Sequence, residues 1–513
     1  MVQDFPMNQD TITISRLLEE NKALAAENAV LRETVERQAT LVASNAVLRE
    51  VVERQAAVIK TLEVRLAELE RRLGLNSSNS SKPPSSDGLK KPPAGKDNNR
   101  RTRSLREEST RKSGGQQGHK GETLRQSAEP DVVVDHFPEQ CSACGSPLAE
   151  TGTMGYRVRQ VFDLPEPKPL EVTEHRAHGC RCGQCGHETR APFPEDVRAP
   201  VQYGARINAI VVYLLHFQLL PEDRLATLMK DLFGVGMVPA TIARVSHNCA
   251  ARFQGVVDLI CMLVKTATVK HLDETGFRVG GKTQWLHIAS TVFLTFYRVA
   301  AKRGSMLLDV VGTVVHDHWK SYYTMEGVLH ALCNAHHLRE LKALVEIEKE
   351  DWARKMQKLL RLACHFTNLA RERDRPLRPI QVVRIKRCYD AIVAEGLAFH
   401  EAQTPLVCAK PGRRGRPKRR TGHNLLLRLE NRREDVLRFL TDPSVPFTNN
   451  QAEQDGRMMK LRQKISGGFR SQQGAEEFAV TRSLISTARK HGWDIIHTLM
   501  QDPNTLIQRL RSA

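Results

Sequence analysis

Residues 267–291 read ATVKHLDETGFRVGGKTQWLHIAST. β-Branched and aromatic residues fill two runs, and the GGK segment between them is a tight turn, so two antiparallel strands are expected. TFYRVAA (295–301) supplies a third strand. A short helix near 304–311 then leads to GTVVHDHW (312–319), an apolar strand ending in an acid. VLHALCNAH (328–336) reads as a strand running into a helix. Residues 338–440 are mostly helical. The strand-bearing part resumes with PFTNNQAEQDGRMMKLRQKISGGFR (446–470) and a closing helix near 474–491. The expected class is multidomain α+β, with an α/β core interrupted by a helical insertion.

The acids of these segments carry the chemistry. Side chains alternate along a strand, so Asp273 and Glu274 face opposite sides and only one joins any given site. Asp317 ends its strand at the carboxyl edge, where alternating sheets place ligands. In the helix after Asn449 and Asn450, which are expected to cap it, Glu453 shares a face with Arg457, Lys460 and Lys464. Asp455 lies about 200° away, beside Met458, Met459 and Arg462, and reads as a bystander. Asp273, Asp317 and Glu453 together make an oxygen-only pocket suited to Mg²⁺ or Mn²⁺. Two such ions about 3.5–4 Å apart activate an attacking oxygen and stabilise the leaving one at a phosphodiester. His316 and His318 flank Asp317 and, on a strand, point away from it.

Composition agrees with a DNA substrate. Lys plus Arg is 77 against 58 for Asp plus Glu, a net charge of +19 in 513 residues. Such an excess favours a polyanionic partner, nucleic acid before membrane. No run of about 18 apolar residues occurs, and the N-terminus lacks the pattern of a signal peptide, so a cytoplasmic protein with no membrane span is expected. Five of the eleven cysteines lie between 141 and 185. CSAC supplies Cys141 and Cys144, and CRCGQC supplies Cys180, Cys182 and Cys185. Two Cys-x-x-Cys pairs, each followed by glycine, suit a structural Zn²⁺ held by Cys141, Cys144, Cys182 and Cys185. Cys180, His178 and His187 leave the ligand set open.

The expected organisation begins with a coiled-coil helix (1–75), in which NAVLRETVERQA from Asn28 returns as NAVLREVVERQA from Asn45. Self-association to a homo-oligomer is its expected use, a solvated single helix the alternative. A disordered basic linker (76–130) and a zinc-binding module (131–200) follow. The helical region 201–264 contains a helix-turn-helix-like pair whose second helix, near 239–249, offers Arg244, His247 and Asn248 to a groove, with plain helix packing as the alternative. The core occupies 265–337 and 441–495, the insertion 338–440, and a tail 496–513. In the insertion's basic loop (409–423), Arg414 and Arg416 of RGRP suit a narrow minor groove, or phosphates alone.

HLDETG, VVHDHWKSYY, CNAHHLREL, NNQAEQDGRMMKLRQKISGGFRS, LNSSNSSKPPSSDG and GGQQGHKG resemble the DDE transposases of the insertion-sequence sixty-six family, from about residue 70 to 495. The resemblance implies a ribonuclease-H-like core with a helical insertion, an N-terminal zipper and a zinc module. It implies an enzyme that cuts and joins the element's DNA ends, terminal inverted repeats into target DNA, with Asp273, Asp317 and Glu453 as its triad and element-encoded accessory proteins as possible partners. Cys333 and His336 match a Cys-x-x-His found after the second acid. Gly456 departs from good helix chemistry by up to about 1 kcal/mol relative to alanine. The alternatives are a non-catalytic zinc-containing DNA-binding regulator, and another nuclease or resolvase on the same core.

Overall fold

Helix α1 (Gln9–Gly74) is the first element of the computed structural model, which describes residues 9–75, 79–80, 126–148, 157–163, 170–185, 187–304, 309–404, 406 and 419–512. Its apolar positions Leu17, Leu31, Leu48 and Leu66 are all exposed in the single chain. Strands β1 (Gly179–Arg181) and β2 (Glu188–Arg190) form a short antiparallel hairpin in the cysteine-rich region. Helix α2 (Ala205–Val212) passes into a π-turn at Tyr213–Phe217. Helix α3 (Glu222–Phe233) ends at Gly234 in the left-handed conformation. Helix α4 (Pro239–Thr266) then runs for 28 residues, well past the end expected near 249. The reason is its apolar face: Ile242, Phe253, Val256, Ile260 and Val264 continue one buried stripe along its length.

The sheet follows in the segments that the sequence marks. Strands β3 (Val269–Val279), β4 (Lys282–Ser290) and β5 (Thr295–Ala300) form an antiparallel meander, joined first by Gly280 and Gly281, both with positive φ. Strands β6 (Gly312–His316) and β7 (Val328–Leu332) are parallel to β3, giving the spatial order β5-β4-β3-β6-β7. Strand β6 is buried along most of its length, as expected of a strand with neighbours on both edges. Of the short helix expected near 304–311, residues 305–308 lie outside the described residues.

Helices α5 (Asn334–Ala343), α6 (Asp351–Glu372), α7 (Pro379–Glu401), α8 (Thr421–Asn431) and α9 (Arg433–Thr441) make up the helical stretch between the last strand and the segment at 446–470. Helices α10 (Asn450–Ser466) and α11 (Gln472–Lys490) complete the cover of the sheet. The chain divides into two compact units. One takes α1 with residues 338–359 and 387–431; the other takes the sheet, the cysteine-rich region, residues 360–386 and everything described from 432 onward. The expected insertion is thus shared between the units. Within the first, Tyr389 donates to the Leu429 carbonyl at 2.9 Å, and buried Glu350 accepts from Trp352 at 2.6 Å.

The C-terminal residues, expected to be a tail, form α12 (Ile495–Met500) and α13 (Pro503–Arg511), capped by Asp494 and Asp502. Leu499, Leu506 and Leu510 are buried in the same apolar cluster as Phe253, Ile260 and Val314. Their leucine spacing anchors two short helices that sequence length alone disguises. Between α10 and α11 the chain returns to the sheet. Gly467 takes a positive φ, and a side chain at Gly468 would stand 2.9 Å from the Arg278 carbonyl, which instead accepts the Phe469 N–H at 2.9 Å.

Candidate active site and cysteine module

Asp273 lies within β3, and Asp317 directly follows the end of β6. The parallel register Val269↔Thr313 and His271↔Val315, continued by two residues, sets Asp317 beside Asp273. Neighbouring strands lie about 4.8 Å apart, and register partners in a sheet point to the same face. The face is the one α10 covers: a Cβ on Gly456 would come 3.9 Å from an Asp273 carboxylate oxygen and 2.8 Å from the δ-methyl of Ile288. Gly456 therefore allows α10 to approach β3 and β4 closely, which is the physical reason for a poor helix former at that position.

The start of α10 is pinned by a residue whose expected role is corrected here. Asn449 occupies the N-cap position, yet its side chain makes no capping bond. Its Nδ2 donates to the Leu272 carbonyl at 2.8 Å, and its Oδ1 meets His271 Nδ1 at 2.9 Å. The amide is buried and satisfied by β3, so the residue before Asp273 is tied to the start of the helix that carries Glu453.

Asp455 is no idle surface acid either. It faces away from Asp273, as helical geometry requires, but bridges three elements. Lys490 of α11 donates to it at 2.8 Å, Ser290 at 2.6 Å and Thr295 at 3.2 Å, while Tyr297 donates to its backbone carbonyl at 2.9 Å. Lys490 also donates to the carbonyls of Thr291 and Leu294. Asp455→Ala is expected to destabilise the protein by about 3 kcal/mol, because it strands a mostly buried ammonium and two hydroxyls. Chemical denaturation would show it as a lower midpoint with unchanged slope; no shift would refute the structural role.

Glu274 confirms the strand alternation from the opposite side. It pairs with Arg303 at 2.7 Å and accepts a hydrogen bond from the Tyr322 hydroxyl. Arg303 in turn stacks on Trp319 at 3.7 Å. His316 shares that side: it is buried, packs on Tyr322 at 4.6 Å and meets His330 Nδ1 at 3.0 Å. Burial pushes its pKa down to about 3. His318 meets the Tyr323 hydroxyl at 2.6 Å. Asp317 itself accepts the Trp319 N–H at 2.9 Å, which orients its carboxylate through a tight turn.

Electrostatics ties the three acids together. Asp273 is pushed up to about 8, by burial first, next by Glu274, and further by the charges of Asp317 and Glu453. The charges of Asp317, at the end of β6, and of Glu453, on α10, thus both act on Asp273 of β3. Oxygen-only donors around a buried carboxyl raised in this way fit a hard divalent cation such as Mg²⁺ or Mn²⁺. Glu453 has two further neighbours, Cys333 Sγ at 3.9 Å and His336 Nδ1 at 3.7 Å. The Cys333 N–H donates to the His316 carbonyl at 2.9 Å, which joins the end of β7 to the end of β6.

The expected DNA contacts are dispersed. Arg457, Lys460 and Lys464 are exposed on α10, and Lys460 donates to the Gly276 carbonyl at 3.0 Å. Arg244 and Asn248 are exposed on α4, while His247 is engaged by Glu477 of α11 at 2.8 Å. Arg414 and Arg416 lie outside the described residues. In the cysteine module, the Gly145 N–H donates to the Cys141 carbonyl at 2.9 Å and Cys141 N–H to Ser146 at 2.8 Å, a turn that sets Cys141 beside Cys144. The Cys182 N–H donates to the His187 carbonyl at 2.8 Å, and a turn brings Cys185 beside Cys182. Each pair is prearranged by its own turn, and both donor sets are soft thiols suited to zinc. Cys180, His178 and His187 are exposed around the β1–β2 hairpin. No helix among the described residues is long and apolar enough to cross a membrane.

Comparison with known proteins adds three matches along the chain. Residues 200–477, more than half of it, match the family described as transposase IS66 family. Residues 138–186, which contain all four candidate zinc cysteines, match the zinc-finger binding domain of transposase IS66. Residues 19–125 match a family of unknown function. An uncharacterized protein of Sinorhizobium fredii (strain NBRC 101917 / NGR234), y4jO, is 34% identical over 84 residues, covering 16% of this chain and 26% of that relative.

Proposed function

Because the chain belongs to the transposase IS66 family, we propose that it cuts its element's DNA ends and joins them to target DNA, using Asp273, Asp317 and Glu453. The observation that carries this reading is the approach of three acids from three separate elements: Asp317, in register beside Asp273, and Glu453 of α10 both add their charge to the burial and the Glu274 charge that raise Asp273 to about 8. The strand order, with an antiparallel meander followed by two strands parallel to its first, supports a ribonuclease-H-like core.

In this reading the three carboxylates hold Mg²⁺ or Mn²⁺. The bound metal supplies a Lewis acid for the attacking and leaving oxygens of a phosphodiester. The protein's own part is positioning. Asn449 and Gly456 seat α10, which carries Glu453 in its first turn, against β3, and Trp319 N–H orients Asp317. Arg457 and Lys464 lie beyond Glu453 on α10, ready for the DNA backbone, with Lys460 between them. Arg244 and Asn248 on α4, and Arg414 and Arg416 of the basic loop, are proposed as further DNA contacts. A zinc ion held by Cys141, Cys144, Cys182 and Cys185 shapes the small DNA-binding module, and α1 serves self-association through its exposed apolar stripe.

Incubating the protein with labelled end-sequence DNA and Mg²⁺ tests the reaction. Nicks leaving 3′-hydroxyl ends, followed by joined products on added target DNA, are expected. Retention of that DNA without any strand breakage in Mg²⁺ or Mn²⁺ would instead favour a non-catalytic binding protein.

A further inference from the structure

Beside the acids lie two donors, a thiol and an imidazole, that magnesium chemistry does not use. Cys333 directly follows β7 and His336 sits in the first turn of α5, so a Cys-x-x-His step spans a strand-to-helix junction. Among the described residues, Cys333, His336 and Glu453 are the group whose sulfur, imidazole nitrogen and carboxylate oxygen all lie within 4.8 Å of one another. Glu453 Oε1 is 3.9 Å from Cys333 Sγ and 3.7 Å from His336 Nδ1. With Zn–S near 2.3 Å and Zn–N or Zn–O near 2.0–2.1 Å, tetrahedral donors stand roughly 3.3–3.5 Å apart. Both separations from Glu453 therefore lie within about half an ångström of the spacing a tetrahedral cation needs. Burial first, and next the Glu453 charge, push the Cys333 thiol up to about 12, so a cation has to displace its proton. The Asn449 N–H reaches Sγ at 3.1 Å, and the backbone N–H groups of Ala335 and His336 point to it as well. Such N–H donors stabilise a thiolate once its proton has been displaced.

We propose that Cys333, His336 and Glu453 form a second metal site, for a borderline-soft divalent cation of the zinc class, and that filling it withdraws Glu453 from magnesium. A thiolate and an imidazole select against Mg²⁺, so the two sites differ in metal while sharing one carboxylate. Three protein donors leave a fourth position for water, which makes the site exchangeable, unlike a closed four-thiolate site. His336 and Glu453 retain about a fifth of their side-chain surface in solvent, which gives a cation a way in. The withdrawal of Glu453 rests on its role as the third acid of the proposed function; the metal site itself does not.

The test uses the full chain, loaded with Zn²⁺, freed of excess by gel filtration and counted by mass spectrometry of the metal. Wild type is expected to hold about two zinc ions, one of them in the cysteine module, and Cys333→Ser and His336→Ala about one each. Cobalt loading gives a second readout, since the wild-type minus Cys333→Ser spectrum should contain a thiolate charge-transfer band. Thermal melts identify a variant that fails to fold, and the remaining one then decides. Equal zinc in wild type and a folded variant would overturn the site. In the magnesium nicking assay, zinc should inhibit wild type reversibly, and His336→Ala should need about tenfold more zinc for the same fractional loss. Loss of the second zinc in the variants without zinc inhibition of wild type would keep the site and overturn the competition. Glu453→Gln nicking as fast as wild type would refute the third acid, while the zinc count still judges the site.

Discussion

Asp317→Asn is expected to lower magnesium-dependent nicking of end-sequence DNA by about 10³-fold or more, the equivalent of roughly 4 kcal/mol of transition-state stabilisation. Asparagine keeps the shape of the side chain and a carbonyl oxygen able to accept the Trp319 N–H, now at 2.9 Å. What it removes is the negative charge beside Asp273 on the neighbouring strand. The fold should therefore survive, with a melting temperature at or above that of wild type in the absence of metal. Initial nicking rates of the two proteins at saturating Mg²⁺ decide the matter, and equal rates would remove Asp317 from the chemistry.

The metal-free protein should gain stability as pH falls from 8 toward 5, and Asp273→Asn should abolish most of that gain. The sign follows from the raised carboxyl. Asp273 titrates near 3.8 in an unfolded chain and near 8 in the folded one. Between those values the folded state binds more protons than the unfolded state. Its contribution is thus fully present below about 3.8 and is lost as pH rises through about 8, at up to about 1.4 kcal/mol per pH unit. Other carboxylates titrate over the same range, so the difference between wild type and Asp273→Asn isolates this residue. At pH 8 the variant should melt several degrees higher than metal-free wild type. Mg²⁺ should raise the wild-type melting temperature more at pH 8 than at pH 5. Parallel pH profiles for the two proteins would contradict the electrostatic description of the site.

How much of this was legible in the sequence depends on whether the signal is local. Strands β3 to β5 follow from β-branched and aromatic runs with a Gly-Gly turn, β6 and β7 from short apolar runs, and the opposed faces of Asp273 and Glu274 from strand geometry alone. The helical face of Glu453 was equally readable. The partners of Asn449 were not, because its buried side-chain amide bonds His271 and Leu272, more than a hundred positions away. Local propensity assigned it a cap, and burial against β3 gave its side chain other bonds. Asp455 was dismissed for a similar reason: its place opposite Glu453 was right, but Lys490 and Ser290 come from other elements. Gly456 looked like a defect in a helix until the approach to Ile288 explained it. The helix-turn-helix pattern at 239–249 covers only the first part of α4, whose buried apolar face continues to Val264, and α12 and α13 are too short to announce themselves.

The central claim is that Asp273, Asp317 and Glu453 hold one divalent cation site. A crystal of the full chain grown with Mn²⁺, with anomalous diffraction recorded at the manganese edge, tests it most directly. The prediction is an anomalous peak within about 2.0–2.3 Å of carboxylate oxygens from all three residues. Saturating manganese that leaves no peak among them, or binds only elsewhere, would contradict it.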